Sequence, residues 1–195
     1  MDQPVAANLA LWLIGAVIGI LGIAILGLIV IYNQLVTLQV LCKNAWSDID
    51  VQLKRRHDLI PNLIDVVKEY VGYEKGTLEA VVAARSRAMS AGSVGEAAAA
   101  ENMLSGTLKS LFALAENYPQ LRGSEQFSGL QQSLAATEDA IQSARRYYNA
   151  TARDLNTTVG MIPWNIVAGL GKFEPREFFQ ISDDAERAVP RVRIG

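Results

Sequence analysis

From Leu9 to Ile31 the chain reads LALWLIGAVIGILGIAILGLIVI, 23 residues without a charge. As a helix this run spans about 34 Å, against a hydrocarbon core of about 30 Å, so it predicts a transmembrane helix. A cleaved signal peptide would have a basic start, an apolar run of about 7–15 residues and a small-residue cleavage site. Here the start is MDQPVAAN and no A-x-A follows, which points to an uncleaved anchor. Beyond the run the pattern changes period. Leu35, Leu38, Cys42, Ala45 and Ile49 alternate by three and four, the signature of one buried helical stripe, so the anchor is expected to continue as a stalk-like helix over 33–57.

Apolar pairs then recur at Leu59/Ile60, Leu63/Ile64, Val66/Val67 and Tyr70/Val71, followed by Leu78 and Val81/Val82, and the pattern dies in SAGSVG at 90–95. This predicts a helix over about 62–90. Ser93 followed by Glu96 fits a capping box and starts a further helix, about 94–117. Its face is Ala97, Ala100, Leu104, Leu108, Leu111, Ala115 and Tyr118, and Pro119 ends it. Gly123-Ser124 opens the last long helix, 124–162. That helix carries the most regular stripe: Phe127, Leu130, Leu134, Thr137, Ile141, Ala144, Tyr148, Thr151, Leu155, Thr158 and Ile162. The heptad spacing implies a coiled-coil-like seam, and its threonines favour packing inside a bundle over a free-standing dimer. No stretch alternates as a strand does. After Pro163 the chain reads as irregular, with a short acidic helix at SDDAERA and an extended PRVRI tail. Trp164, Phe173, Phe178 and Phe179 are expected to pack back over the bundle end. The expected architecture is all-α: a tail and transmembrane helix at 1–31, an antiparallel up-and-down, four-helix-like bundle at 32–163, and an irregular segment at 164–195 packed on the bundle.

The stretch IDVQLKRRHDLIPNLID, 49–65, interrupts this regularity with charges, the single histidine and a proline. A helix break accounts for every residue. Lys54, Arg55, Arg56 and His57 would complement the macrodipole in a last turn, Asp58 would cap the next helix, and Pro61 would lie in its first turn. The alternative is one helix kinked at Pro61, where proline deletes the hydrogen bond to the His57 carbonyl. The break is the preferred reading. Asp50/Lys54 and Arg55/Asp58 have the spacing of helical ion pairs and need no functional explanation. His57 and Asp58 are adjacent and do not face each other on a helix, so they make no local dyad. No G-x-S-x-G, Walker A or H-E-x-x-H occurs.

Composition narrows the chemistry further. One histidine is too few for a Glu-x-x-His di-iron site, and Asp48/Asp50 and Asp183/Asp184 lack the pattern of a calcium loop. With one cysteine, Cys42, no intramolecular disulfide forms. The net charge of −2 gives no electrostatic basis for nucleic-acid binding. A straight helix carries Lys54 about 34 Å past the membrane end, far beyond a Debye length of about 8 Å, so the KRR cluster does not reach the headgroups of its own membrane. No catalytic, metal-binding or cofactor-binding residue is assigned.

The run YNQLVTLQVLCKNAWSDIDVQLKRRHDLIPNLIDVVKEY resembles the LemA family of bacterial membrane-anchored proteins. So do E-x-x-x-L-E-x-V-x-x-A-R at 74–85, E-N-x-L-S at 101–105, YPQL at 118–121, ARRYYNATARDLN at 144–156 and the FF near 178. The resemblance covers about residues 9–193. It implies a short tail, one membrane helix and an antiparallel helical bundle, with no established catalytic activity, cofactor or active-site residue. The expected role is a membrane-anchored scaffold that presents its bundle to a protein partner or to copies of itself. The candidate interaction surface is Lys54, Arg55, Arg56, Asp58, Asn62, Arg145 and Asn149, and Gly15 and Gly19 form a candidate packing face in the anchor. The alternative is an enzyme or enzyme subunit with a polar site between bundle helices, drawn from Arg55, Asp58, Asn62, Arg145 and Asn149. Before the anchor the only charge is Asp2, whereas Lys43, Lys54, Arg55 and Arg56 follow it. The expected location is therefore a bacterial cell membrane, single-pass, with the bundle cytoplasmic and the N-terminus outside.

Overall fold

The computed structural model describes residues 3–71 and 74–180. The expectations for SDDAERA and PRVRI fall outside them. Six helices follow in order: α1 Gln3–Tyr70, α2 Lys75–Met89, α3 Val94–Ala115, α4 Pro119–Arg122, α5 Glu125–Gly160 and α6 Trp164–Gly171, with no strand among the described residues. The fold is all-α, with a long apolar N-terminal helix that qualifies by length and composition as a membrane span. The chain divides into two compact units. One joins the residues up to Lys43 with Arg153–Arg176, and the other joins Asn44–Ala152 with the segment from Glu177.

The second unit is an up-and-down bundle, and its directions follow from specific contacts. Arg56 of α1 meets Glu138 of α5, while Trp46 meets Tyr148, so α1 and α5 are antiparallel. Phe112 of α3 meets Phe127 at the start of α5, while Glu101 and Glu138 share Arg56, so those two are antiparallel as well. Between them Ile60, Leu63, Leu104, Leu111 and Leu121 are fully buried. Threonine at the seam of α5 is tolerated because the helix itself satisfies the hydroxyls: Thr137 Oγ1 donates to the Ser133 carbonyl and Thr151 Oγ1 to that of Tyr148. Helix α5 runs unbroken, as its stripe predicts.

Two expectations about the middle of the chain are corrected. Helix α1 does not break at Asp58 but continues through Pro61 to Tyr70. A proline inside a helix costs about 3 kcal/mol or more, partly because the carbonyl four residues earlier loses its donor. That carbonyl belongs to His57, and it accepts a 2.8 Å hydrogen bond from Arg85 Nε of α2. A charge-assisted bond of this kind contributes about 1.5–3 kcal/mol, which offsets much of the loss. Asp58 is therefore an exposed mid-helix residue and caps nothing. The helix expected over 62–90 is in turn two helices, because α1 ends at Tyr70 and α2 begins only at Lys75.

Helix α3 starts where expected: Ser93 Oγ accepts from the Glu96 amide. The reciprocal bond goes one residue earlier than in a capping box, from the Gly92 amide to Glu96 Oε2.

In the first unit every side chain from Leu11 to Val30 is exposed. Residues 164–171, expected to be irregular, form α6. Its Val167 and Ala168 pack with Leu35 and Phe173, flanked by Ile31, Val36, Val159 and Trp164. Ile162, expected to close the α5 seam, lies beyond the end of that helix and is exposed. At Gly171 an added Cβ would lie 2.5 Å from the Phe173 ring, so only glycine lets that ring fold back toward Tyr32. Lys172 follows in the left-handed conformation and caps α6.

These assignments separate two residues that both read as caps. Ser93→Ala should cost about 0.5–2 kcal/mol. Asp58→Ala should lie within about 0.5 kcal/mol of the parent. Chemical unfolding of the two full-length variants checks this, and a loss at Asp58 equal to that at Ser93 would restore a helix start there.

Candidate functional site

The clearest polar constellation lies inside the second unit. Helical periodicity carries Arg56 into the buried stripe of α1, between Leu53 and Ile60, and carries Glu101 into that of α3, between Ala97 and Leu104. Arg56 Nη1 approaches Glu101 Oε2 at 3.3 Å and Glu138 Oε2 of α5 at 3.0 Å, and Nη2 donates to Ser105 Oγ at 2.7 Å. The other oxygen of Glu101 lies 2.6 Å from His57 Nε2. Arg56, His57 and Glu101 are all buried. One guanidinium thus ties three helices together at one level, and the carbonyl of the next residue receives Arg85 from a fourth.

The chemistry of this cluster is that of a joint. Each oxygen of Glu101 already has a partner inside the bundle, one a guanidinium and the other an imidazole. No group of three or more metal-ligating side chains occurs among the described residues. From sequence, Glu101 and Ser105 stand only as part of the E-N-x-L-S run, and neither they nor Glu138 has an assigned role. The available signal was a charge at a stripe position of α1 matched by an opposite charge at a stripe position of α3.

The expected interaction surface is only partly a surface. Lys54, Arg55, Asp58 and Asn62 are exposed along α1, and Arg145 is half-buried on α5. Among the described residues none of the five takes part in a hydrogen bond or ion pair, so Asp50/Lys54 and Arg55/Asp58 do not close as pairs. Arg56 leaves the set because it is buried in the cluster. Asn149 leaves it because its amide is spent on the chain itself: Oδ1 accepts from the Phe179 amide at 2.9 Å and Nδ2 donates to the Phe179 carbonyl at 3.1 Å. The groups named for an inter-helix catalytic site are therefore not gathered at one point by any of these interactions.

Phe179 is fully buried beside Trp46, and Trp46 in turn meets Tyr148, with ring centroids 5.7 and 5.4 Å apart. Tyr148 Oη donates to the Glu177 carbonyl, and the Glu177 carboxylate accepts from the Gly95 amide at the start of α3. In the first unit Asn156 holds Arg176 as Asn149 holds Phe179, with bonds of 2.7 and 2.9 Å to its amide and carbonyl. Of the aromatics in this segment, Phe179 is buried in the second unit and Phe173 in the first, while Phe178 is half-buried.

The LemA family profile matches residues 45–194. The chain is similar to the magnetosome proteins MamQ 1 and MamQ 2 of Paramagnetospirillum magneticum, at 26% identity over 175 residues, covering 76% of this chain and 64% of each relative. It is also similar to the magnetosome protein MamQ of Magnetospirillum gryphiswaldense, at 24% identity over 174 residues with the same coverage. The chain thus spans less than two thirds of the length of these relatives.

A buried carboxylate that loses its partners, or a buried guanidinium that loses its counter-charge, is costly. Glu101→Ala should destabilise the protein by about 3–5 kcal/mol, whereas Glu138→Ala, at a side chain about one-third exposed, should cost about 1 kcal/mol or less. Chemical unfolding measures both, and equal losses would show that Arg56 does not depend chiefly on Glu101.

Proposed function

The chain belongs to the LemA family, and we propose that it is a non-catalytic, membrane-anchored scaffold that presents its helical bundle to protein partners or to further copies of itself. The observation that carries this reading is α1. One helix is exposed and apolar from Leu11 to Val30, and the same helix supplies Leu35 to the first unit and Ile49, Ile60 and Leu63 to the core of the second. Association with a membrane and presentation of a bundle are thereby built into one element. The exposed, unpaired Lys54, Arg55, Asp58 and Asn62 supply the face toward a partner. Self-association within the bilayer is proposed through Gly15 and Gly19, four residues apart, whose lack of a side chain would let a second helix approach closely. The matched relatives are named as magnetosome proteins, consistent with a role in assembly at a membrane.

The orientation proposed is N-terminus outside and bundle in the cytoplasm, from the lysines and arginines that follow the span. One experiment addresses association and orientation together. In intact cells a membrane-permeant amine cross-linker should join the chain, through Lys54 or Lys109, to itself or to a partner. A membrane-impermeant analogue of the same length should leave those lysines unlinked. Cross-links from the impermeant reagent would reverse the orientation, and no cross-links from either would remove the scaffold reading.

A further inference from the structure

Helix α6 is apolar on both sides. Its inner side, Val167 and Ala168, is buried against Leu35. Its outer side carries Ile166 and Leu170, four residues apart, at 60% and 82% exposure, and Ile162 in the preceding turn is 77% exposed. The chain from Leu155 to Gly171 holds 17 residues without a charge, a second neutral stretch after the span itself. Asn165 is the one polar side chain of α6 and is exposed, yet a helix this apolar is ordinarily buried on most sides. This one has protein on one side only.

The position of α6 identifies what covers the other side. Its inner side packs on Ile31, Leu35 and Val36, at the point where the apolar run of α1 ends. Leu35 lies four residues past Ile31, about 6 Å along the helix. The polar interface of a bilayer extends about 5–7 Å beyond the hydrocarbon on each side. The same level carries the side chains that favour such interfaces. Trp164 donates through Nε1 to Gln34 at 2.8 Å, the Tyr32 ring meets Phe173 edge-on at 5.5 Å, and exposed Lys172 follows the last turn.

We infer that α6 is an interfacial helix, lying in the headgroup layer of the membrane that α1 spans, with Ile162, Ile166 and Leu170 directed into the acyl chains of the leaflet from which α1 emerges. The span and α6 then form two contacts with one bilayer, the first crossing it and the second lying in its surface. Charge plays a small part, since α6 carries none, and apolar burial supplies the attraction.

This inference rests on the reading of α1 as a span, and the test keeps the two apart. Full-length protein, with Cys42→Ala to remove the native thiol, is placed in nanodiscs of phosphatidylcholine and phosphatidylglycerol. A nitroxide is attached at Leu170→Cys, at Ile166→Cys, at Leu21→Cys in the span, or at Arg146→Cys on exposed α5. Collisions with oxygen, which partitions into lipid, are compared with collisions with a water-soluble nickel chelate. The labels at 166 and 170 should resemble the one at 21, with the oxygen collision rate several-fold above that of nickel, and the label at 146 should show the reverse. Nickel-dominated collisions at 166 and 170 would place α6 in water, and low rates of both would place it under a second copy or another protein; either overturns the inference. A water-like signal at 21 would remove the span itself. The four labelled positions are exposed and the common Cys42→Ala change is at a buried site, so helical ellipticity checks that each variant folds.

Discussion

Helix α1 continues past Pro61 because Arg85, 28 residues further along, donates to the carbonyl that the proline leaves without a partner. Much of the second unit depends on that bond. An unbroken α1 keeps one helical phase from Ile49 to Val67, and that phase delivers Arg56 and His57 to the interior, where they meet Glu101. A break at Asp58 would reset the phase of the residues beyond it, taking Ile60, Leu63 and Val67 off the stripe that Ile49, Leu53 and Arg56 begin. The proline and the buried cluster are thus coupled through adjacent residues of one turn. Arg85 reaches the backbone of His57 while Glu101 reaches its ring, so α2 and α3 are both referenced to the same residue of α1.

A buried ion cluster is a weak source of net stability, because desolvating the charges offsets most of their attraction. Its contribution here is register. A guanidinium with two carboxylates and a hydroxyl in reach is satisfied at one relative height of α1, α3 and α5. The hydroxyls of Thr137 and Thr151, bonded within their own helix, leave that selection to the cluster.

The parts of this fold legible from sequence are those governed by one segment at a time. The span follows from uncharged length, α5 from eleven stripe positions of which all but Ile162 lie within the helix, and the start of α3 from Ser93. What was not legible depends on partners distant in sequence. Nothing near Pro61 indicates that an arginine on α2 satisfies His57, so the local cap and dipole logic favoured a break. Helix α6 read as irregular because its glycines and the preceding proline are poor helix formers; packing of Val167 and Ala168 on α1 supports it instead. Arg56 and Asn149 read as surface groups on residue type alone, yet one is neutralised inside the bundle and the other is consumed by the backbone of Phe179. Arg56 and Glu101 could have been found by asking which charges fall on apolar stripes.

Arg85 stands in for the amide hydrogen that Pro61 lacks, and a double-mutant cycle measures that substitution directly. In chemical unfolding of the full chain in detergent, Arg85→Ala should be costly when residue 61 is proline. It should be less costly, by about 1–3 kcal/mol, in a Pro61→Ala background, where the restored amide reaches the His57 carbonyl. An equal cost of Arg85→Ala in both backgrounds would contradict the account, because the arginine would then act independently of the proline.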